Sequence, residues 1–193
     1  VELVASGGTA EFLAKRKLRV TTVEAFAGIP EQLDGRVKTL HPKIHAGILA
    51  RRDDPSHLKS VGASGLIDLV VVNLYPFQQM VQQAGVPLTQ AVEDIDIGGV
   101  ALLRAAAKNF AHVAVVSRPE DYAEVINALR EGRGHLPATL ARRLAAETFQ
   151  LTSGYDAANA LYLASADGTR QAKAAGPGLP EEASVTIRKR QAL

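Results

Sequence analysis

The segment from residue 35 to residue 47 concentrates side chains that could bind an anion. Arg36 and Lys38 supply positive charge, Thr39 supplies a hydroxyl group and His41 supplies a titratable ring. Guanidinium and ammonium groups are charged donors to phosphate or carboxylate, and the glycines at both ends let the backbone approach a ligand closely. The spacing fits an anionic-ligand site and a structural basic loop about equally well.

Apolar residues alternate with the polar ones in this segment. Val37, Leu40, Ile44 and Ala46 are predicted to draw it against a hydrophobic core. That packing would hold the polar side chains between them on one fixed surface, as a ligand site requires.

The sequence Ser6-Gly7-Gly8-Thr9 is a second candidate anion site. It follows a strand-like stretch over residues 1–5 and precedes the helical pattern that begins at Ala10. A strand, a glycine turn and a helix in this order present free backbone N–H groups and the positive end of a helix dipole to a phosphate. The simpler interpretation is a tight turn with Thr9 as the helix N-cap, and the residues alone favour it.

Two polar side chains stand where a buried strand is predicted to end. The continuous apolar run over residues 66–74 is typical of a parallel strand covered by helices on both faces. Ligands of open α/β sheets bind beyond the carboxyl ends of such strands, which favours Asn73 and Tyr75 as binding residues. Tyr75 precedes a proline and could equally be a half-buried packing residue.

Asp96 and two glycines precede a strong helix-forming sequence that ends at Lys108. Asp96 could cap the helix, or it could act as an acceptor or base while the Gly98 and Gly99 amides donate to a ligand. Lys108 lies twelve residues further on, about 18 Å along an unbroken helix. Either the chain bends at the glycines to bring both ends to one cleft, or Lys108 complements a helix C-terminus.

The remaining pattern predicts an α/β fold with a mainly parallel sheet flanked by helices. Strands are predicted over residues 1–5, 19–23, 66–74 and 112–116, separated by helical segments. The helical pattern over residues 136–163 is long enough for two helices broken near Gly154. Glycine and proline beyond Ala164 indicate a linker.

Composition excludes several classes of protein. The chain has no cysteine, and its five histidines form no helical pair beside a carboxylate, so we expect no metal and a cytoplasmic location. No apolar run is long enough to span a membrane. Five basic residues against two acidic ones between residues 169 and 193 account for the positive net charge, and aromatics are only 5% of the chain, so nucleic-acid binding is not expected.

Three of these motifs together closely resemble a known family. They are residues 35–42 with 45–47, the sequence Asn73-Leu74-Tyr75-Pro76-Phe77, and residues 96–99 with 103–109. This set is similar to the inosine monophosphate (IMP) cyclohydrolase domain of bifunctional purine biosynthesis proteins, whose other half is a formyltransferase. The sequence from Ser6 to Thr9 also looks like the phosphate turn that this family shares with methylglyoxal synthase-like domains.

The resemblance implies a Rossmann-like, methylglyoxal synthase-like fold and one reaction. 5-Formamido-4-imidazolecarboxamide ribonucleotide closes to IMP with loss of water, without a cofactor. Matching positions imply the catalytic residues Lys38, Tyr75, Asp96 and Lys108. They also imply a substrate-binding set, which comprises Ser6, Gly7, Gly8, Thr9, Arg36, Thr39, Asn73, Ile97, Gly98 and Gly99. For His41 and His45 we expect structural or orienting roles.

The resemblance also implies a domain organisation. Residues 1–164 correspond to the cyclohydrolase domain without the family's amino-terminal strand and Ser-x-Lys-Thr-Gly loop, and residues 165–193 to a linker and the start of a formyltransferase domain. The parent protein is expected to be a homodimer with a small-molecule nucleotide substrate. Two alternatives share the fold: a methylglyoxal synthase, which the motifs at residues 35–47 and 73–77 disfavour, and a regulatory module that binds a nucleotide without catalysis.

Overall fold

The computed structural model describes residues 1–74 and 87–165. The chain divides into two compact units. The first comprises Val1–Leu74 and Asp96–Phe149, and the described part of the second comprises residues 87–95 and 150–165. Predictions for Tyr75 and for the segment after residue 165 lie outside the described residues.

Four short strands form two parallel pairs in the described residues. β1 (Leu3–Ala5) pairs with β2 (Val20–Thr22), and β3 (Leu69–Val71) pairs with β4 (Ala114–Val116). Parallel strands need a crossover between them, and helices supply it in both pairs. The predicted α/β class with parallel strands flanked by helices is therefore confirmed.

Eight helices of the described residues lie between and after the strands along the chain. Their bounds are α1 (Gly7–Lys15), α2 (Val23–Ala27), α3 (Pro42–Leu49), α4 (Pro55–Val61), α5 (Leu88–Glu93), α6 (Gly98–Lys108), α7 (Tyr122–Glu131) and α8 (Ala138–Ser165). Single 3₁₀ turns lie at Ala63–Gly65 and Pro119–Asp121.

The core of the first unit forms where α6 packs on α3, β3 and β4. Leu103 and Ala106 of α6 are fully buried. Ile48 of α3 and Val115 of β4 are each only 1% exposed. Alanine side chains on α6 allow its backbone to approach its neighbours closely. This helix is thereby fixed along its length, which fixes the positions of both of its ends.

Asn109, directly after α6, joins two elements through its buried side-chain amide. Its Nδ2 donates to the carbonyl oxygen of Ile48 at 2.7 Å and to that of Ala50 at 3.0 Å. These carbonyls belong to the last turn of α3 and the residue after it, and carbonyls at a helix end need such donors. The C-terminal ends of α3 and α6 are therefore connected by hydrogen bonds.

Some predicted elements differ from the observed ones. α8 continues through Gly154, so the predicted break was wrong. β3 pairs over only three residues, with Val70 buried while Leu69 and Val71 are 38% and 50% exposed, so the predicted burial of both faces is not observed there. In the basic segment Ile44 is buried, whereas Leu40 and Ala46 are exposed.

Candidate active site

The glycine turn after β1 leads directly into a helix. Ser6 is the N-cap of α1 in an extended conformation, and its side chain makes no capping hydrogen bond. Gly7 has a φ of +49°, a left-handed conformation that glycine adopts without steric cost. Thr9 lies inside the helix, so its predicted role as N-cap was wrong. The first amides of α1 and the Ser6 hydroxyl form a surface suited to an anion.

Lys38 extends toward this turn. A Cβ atom at Gly7 would lie 3.8 Å from the Lys38 ammonium nitrogen. A Cβ atom at Gly35 would lie 2.5 Å from Lys38 Cε, so the lysine side chain packs directly over that glycine. The ammonium group also forms an ion pair with Glu31 at 3.1 Å. The structure thus brings a cation to the N-terminus of α1.

A tight turn in the backbone gives Lys38 this position. Gln32 and Val37 exchange two backbone hydrogen bonds, of 3.0 and 3.2 Å, and the residues between them reverse the chain. Leu33, Asp34 and Gly35 all have positive φ values. Lys38 follows the last bridge residue, so its backbone is anchored on that side.

Histidine 41 anchors the other side of the loop. It is the N-cap of α3, and its Nδ1 accepts a hydrogen bond of 3.1 Å from the backbone N–H of Lys43. Pro42 occupies the first helical turn, where its missing N–H costs nothing. His41 therefore has the structural role that was expected for it.

The second half of the loop contacts the start of α6. A Cβ atom at Gly98 would lie 2.5 Å from Thr39 Oγ1, so these two residues touch only because Gly98 has no side chain. Asp96 Oδ1 accepts a hydrogen bond of 2.7 Å from the Gly99 amide. Ile97, between them, is 57% exposed. Asp96, Thr39 and the two glycines therefore form one connected group.

Asn73 is held by a residue that the motifs did not single out. Its Nδ2 donates to the hydroxyl of Tyr122 at 2.8 Å, and that hydroxyl donates to Asn73 Oδ1 at 3.1 Å. Tyr122 begins α7, 49 residues further along the chain. Asn73 follows β3 at its carboxyl end, as predicted, and Tyr122 orients its amide group.

Lys108 lies apart from Asp96. α6 is unbroken from Gly98 to Lys108, and at 1.5 Å per residue its length separates the two ends by about 15 Å. Of the two arrangements left open by the sequence, the structure has Lys108 in the last turn of an unbroken helix. No direct proton transfer between Asp96 and Lys108 is available in this arrangement.

The site therefore consists of three segments that meet in the first unit. The turn at residues 6–9 meets Lys38, and Thr39 meets the start of α6 at residues 96–99. Positive charge, backbone amides and hydroxyls on one side suit a phosphate, while the Asp96 carboxylate supplies an acceptor. Arg36 is exposed on the same loop. Across residues 1–74 and 87–165, no three metal-ligating side chains are grouped to hold an ion.

No helix in the described part of the chain has both the length and the apolar character needed to cross a membrane.

Two family models match this sequence, one in each half. Residues 1–101 match the MGS-like domain family, and residues 106–193 match the family described as AICARFT/IMPCHase bienzyme. The chain is 49% identical to the bifunctional purine biosynthesis protein PurH of a Cyanothece strain, over all of this chain and 37% of that protein. It is 45% identical to the PurH protein of Lactiplantibacillus plantarum, over all of this chain and 36% of that protein.

A solved structure has a similar fold. The crystal structure of ForH superposes with a TM-score of 0.75 at 35% identity, covering 86% of each chain. The chain spans little more than a third of the length of the curated relatives. Homologous segments therefore extend over the entire site described above.

Proposed function

The chain belongs to the MGS-like domain family, in the form found in bifunctional purine biosynthesis proteins, and on that premise we propose that it is an IMP cyclohydrolase. Its substrate is then 5-formamido-4-imidazolecarboxamide ribonucleotide, which closes to IMP with loss of water. The observation that supports this most is the meeting of the glycine turn, the Lys38 loop and the start of α6 in one unit.

The substrate phosphate is proposed to bind at the N-terminus of α1. The amides after Ser6 and the ammonium group of Lys38 supply donors there, and Arg36 and Thr39 add further donors from the loop. Backbone amides at a helix N-terminus and charged side chains both favour an anion. Gly98 and Gly99 then lie on the ribose or base side.

The reaction requires alignment and two proton movements. The carboxamide nitrogen attacks the formyl carbon of the same molecule and loses one proton. The formamido nitrogen loses a second proton as the ring C=N bond forms, and the former formyl oxygen takes up two protons and leaves as water. Holding two tethered groups in line contributes several kcal/mol. Asp96 is proposed to accept the amide proton, with Lys38 stabilising negative charge on the oxygen. General acid–base groups typically add about 10²–10⁴-fold.

Tyr75 and Lys108 are proposed as proton donors to the departing oxygen because they match the family's catalytic positions. Tyr75 lies outside the described residues. Lys108 is about 15 Å from the start of α6. To donate a proton it therefore requires the imidazole base of the substrate to extend along this helix toward it. Its substitution is therefore the most informative one for the mechanism.

An ultraviolet assay of ring closure with the formylated ribonucleotide tests the proposal. Lys38→Ala and Asp96→Asn should each lower kcat/KM by about 100-fold or more. Asparagine retains an oxygen to accept from the Gly99 amide, so Asp96→Asn removes the base and keeps the cap. Lys59→Ala, at an exposed lysine of α4, is the matched control and should match the parent.

The alternative is a regulatory module that binds a nucleotide without turnover, and the separation of Lys108 from Asp96 favours it. IMP binding measured by calorimetry, with no product from the formylated ribonucleotide, would support this alternative and contradict ring closure.

If Lys108→Ala keeps kcat within a few-fold of the parent, its role as proton donor is contradicted. A cytoplasmic location and a homodimeric parent protein with formyltransferase activity belong to the same proposal.

A further inference from the structure

Asn73 and the start of α6 lie at the same edge of the β3–β4 pair. The two strands are parallel, and a backbone hydrogen bond of 3.0 Å from Val72 to Val116 continues their pairing up to Asn73. α6 packs on both strands, and only residues 109–113 join its end to the start of β4. It therefore runs antiparallel to the strands, and its first residues lie at their carboxyl ends. Ligands of α/β sheets bind at this edge.

The hydroxyl group of Tyr122 contacts both polar atoms of the Asn73 amide. It lies 2.8 Å from Nδ2 and 3.1 Å from Oδ1. A side-chain amide has two N–H donors and an oxygen with two lone pairs, so this contact uses at most one donor and one lone pair. Contact with both atoms fixes the plane of the amide and leaves it the capacity to bind a ligand.

The two residues differ in exposure. Asn73 is exposed at the edge of the sheet, whereas Tyr122 is half-buried. An exposed side chain loses rotamer freedom when it binds a ligand, and this loss opposes binding. A hydroxyl group that already holds the amide in place reduces that loss before the ligand arrives.

Tyr122 follows a turn that an ion-pair network fixes. Asp121 is only 7% exposed, and its carboxylate accepts a hydrogen bond of 3.2 Å from Arg118 Nε. Arg143 of α8 lies 3.6 Å from the other oxygen of the same carboxylate. Glu147 of α8 pairs with Arg143 at 2.8 Å and also with Arg118. Two arginines and two carboxylates thus connect the turn before Tyr122 to α8.

A buried neutral contact connects the beginning of this turn to α8. Ser117 directly follows β4, and its Oγ accepts a hydrogen bond of 3.2 Å from Thr148 Oγ1. Ser117 is 6% exposed and Thr148 is fully buried. Satisfied polar contacts in the interior make the surrounding structure rigid. The segment from Ser117 to Asp121 is therefore held at both ends, which sets the position of the Tyr122 hydroxyl.

We propose that Tyr122 is a positioning residue for substrate binding, whose hydroxyl holds the Asn73 amide in the orientation that contacts a polar group of the nucleotide. This inference rests on the proposed function and adds to it a residue that acts through Asn73. Asn73 has no proposed part in proton transfer, so its contact supports the ground state and the transition state alike. Tyr122 then acts on KM and leaves kcat unaltered.

Tyr122→Phe removes the hydroxyl group and keeps the ring. The Kd of IMP, measured by calorimetry, and the KM of ring closure should each rise about three- to ten-fold, as the loss of one hydrogen bond predicts. The kcat should stay within two-fold of the parent. Tyr162→Phe, at a half-buried tyrosine of the second unit, is the matched control and should bind IMP like the parent.

The same substitution in an Asn73→Ala background separates positioning from a general effect on the fold. If the hydroxyl acts through Asn73, Tyr122→Phe should then change the Kd of IMP by less than two-fold. An equal loss of affinity in both backgrounds would overturn the proposal, because Tyr122 would act without Asn73.

Two further results would overturn it. One is an unaltered Kd of IMP after Tyr122→Phe, and the other is a fall in kcat at unaltered KM, which would place the hydroxyl in the chemical step. IMP binding without ring closure would contradict the proposed cyclohydrolase activity alone, since the ratio of the two Kd values would still decide the role of Tyr122. A parent chain that does not bind IMP would contradict both.

Discussion

At the scale of residues, Lys38 is the group that connects the loop to the phosphate turn. Its side chain is 33% exposed and its ammonium group already pairs with Glu31, whose side chain is 47% exposed. A substrate phosphate would therefore compete with the Glu31 carboxylate for the same cation. Glu31 was absent from the predicted site because no motif includes it, and its contact with Lys38 depends on the reversal at residues 33–35.

The first prediction concerns this competition. Glu31→Gln should tighten binding of IMP by about two- to five-fold, because pairs this exposed contribute up to about 1 kcal/mol. Calorimetric titration of both proteins at low ionic strength measures the change. Glu11→Gln removes a comparable exposed partner of Lys15 and should leave affinity unaltered; weaker binding after Glu31→Gln would contradict the competition.

The second prediction concerns His45. Its ring Nε2 is buried without a hydrogen-bond partner among the described residues, and burial lowers its pKa below the ordinary 6.5. The unfolded chain therefore takes up a proton more readily than the folded one, so stability is full above pH 6.5 and falls as the pH drops toward the lowered pKa.

Urea unfolding of the parent and of His45→Gln at pH 7.5 and at pH 5.5 measures this effect. The variant should lose less stability between the two pH values than the parent does. His135→Gln, at an exposed position, serves as the control and should follow the parent. Identical pH dependence in all three proteins would show that another group is responsible.

At the scale of elements, α6 organises the site because its first residues touch Thr39. The third prediction is that Gly98→Ala lowers both stability and ring closure. The added methyl group would come within 2.5 Å of Thr39 Oγ1, and overpacking of this kind costs about 1–3 kcal/mol. Urea unfolding and the ring-closure assay measure the two effects. Gly8→Ala, where a Cβ atom meets nothing within 4 Å, is the stability control; unaltered unfolding of Gly98→Ala would contradict the close contact.

The fourth prediction is that one substitution raises the stability of the fold. Gly154 lies inside the continuous α8 with open space where a Cβ atom would be. Alanine exceeds glycine in helix propensity by about 1 kcal/mol, so Gly154→Ala should raise the free energy of unfolding by up to that amount. A loss of stability in a thermal or urea experiment would indicate a bend at this position.

The same helix shows why part of the fold could not be predicted. A glycine in a helical pattern lowers local propensity, which suggested a break, but the cost of one glycine is small beside the cooperative hydrogen bonding of a 28-residue helix. The helix that follows Asp96 was predictable because alanines and leucines dominate it. The pairing of Asn73 with Tyr122 was not predictable, because it depends on how β3 and α7 are placed.

At the scale of the whole molecule, one compact unit contains all of the described candidate residues from the glycine turn and the three motifs. The motifs predicted which residues would act and the structure shows which of them meet: Ser6 to Thr9 with Lys38, and Thr39 with residues 96–99. The separation of Lys108 followed from helix geometry once the helix was known to be unbroken. The contact of Glu31 with Lys38 has no signature in sequence spacing.

The fifth prediction belongs to this scale. The proposed function assigns ring closure to the site around Asp96, so the chain should close the formylated ribonucleotide faster than it transfers a formyl group to the unformylated one. Parallel assays of both reactions on the same preparation measure this. Formyl transfer at a rate comparable to ring closure would contradict the assignment of this segment to one of the two activities.

The buried amide of Asn109 makes the site depend on the number of residues in α6. Its two hydrogen bonds fasten the end of α6 to the end of α3, while eleven residues earlier the same helix meets Thr39. One residue inserted between Gly98 and Asn109 would rotate the start of α6 by about 100° and shift it by about 1.5 Å. A substitution at an exposed position of α6 other than Lys108 keeps this spacing, whereas a single-residue insertion or deletion changes it.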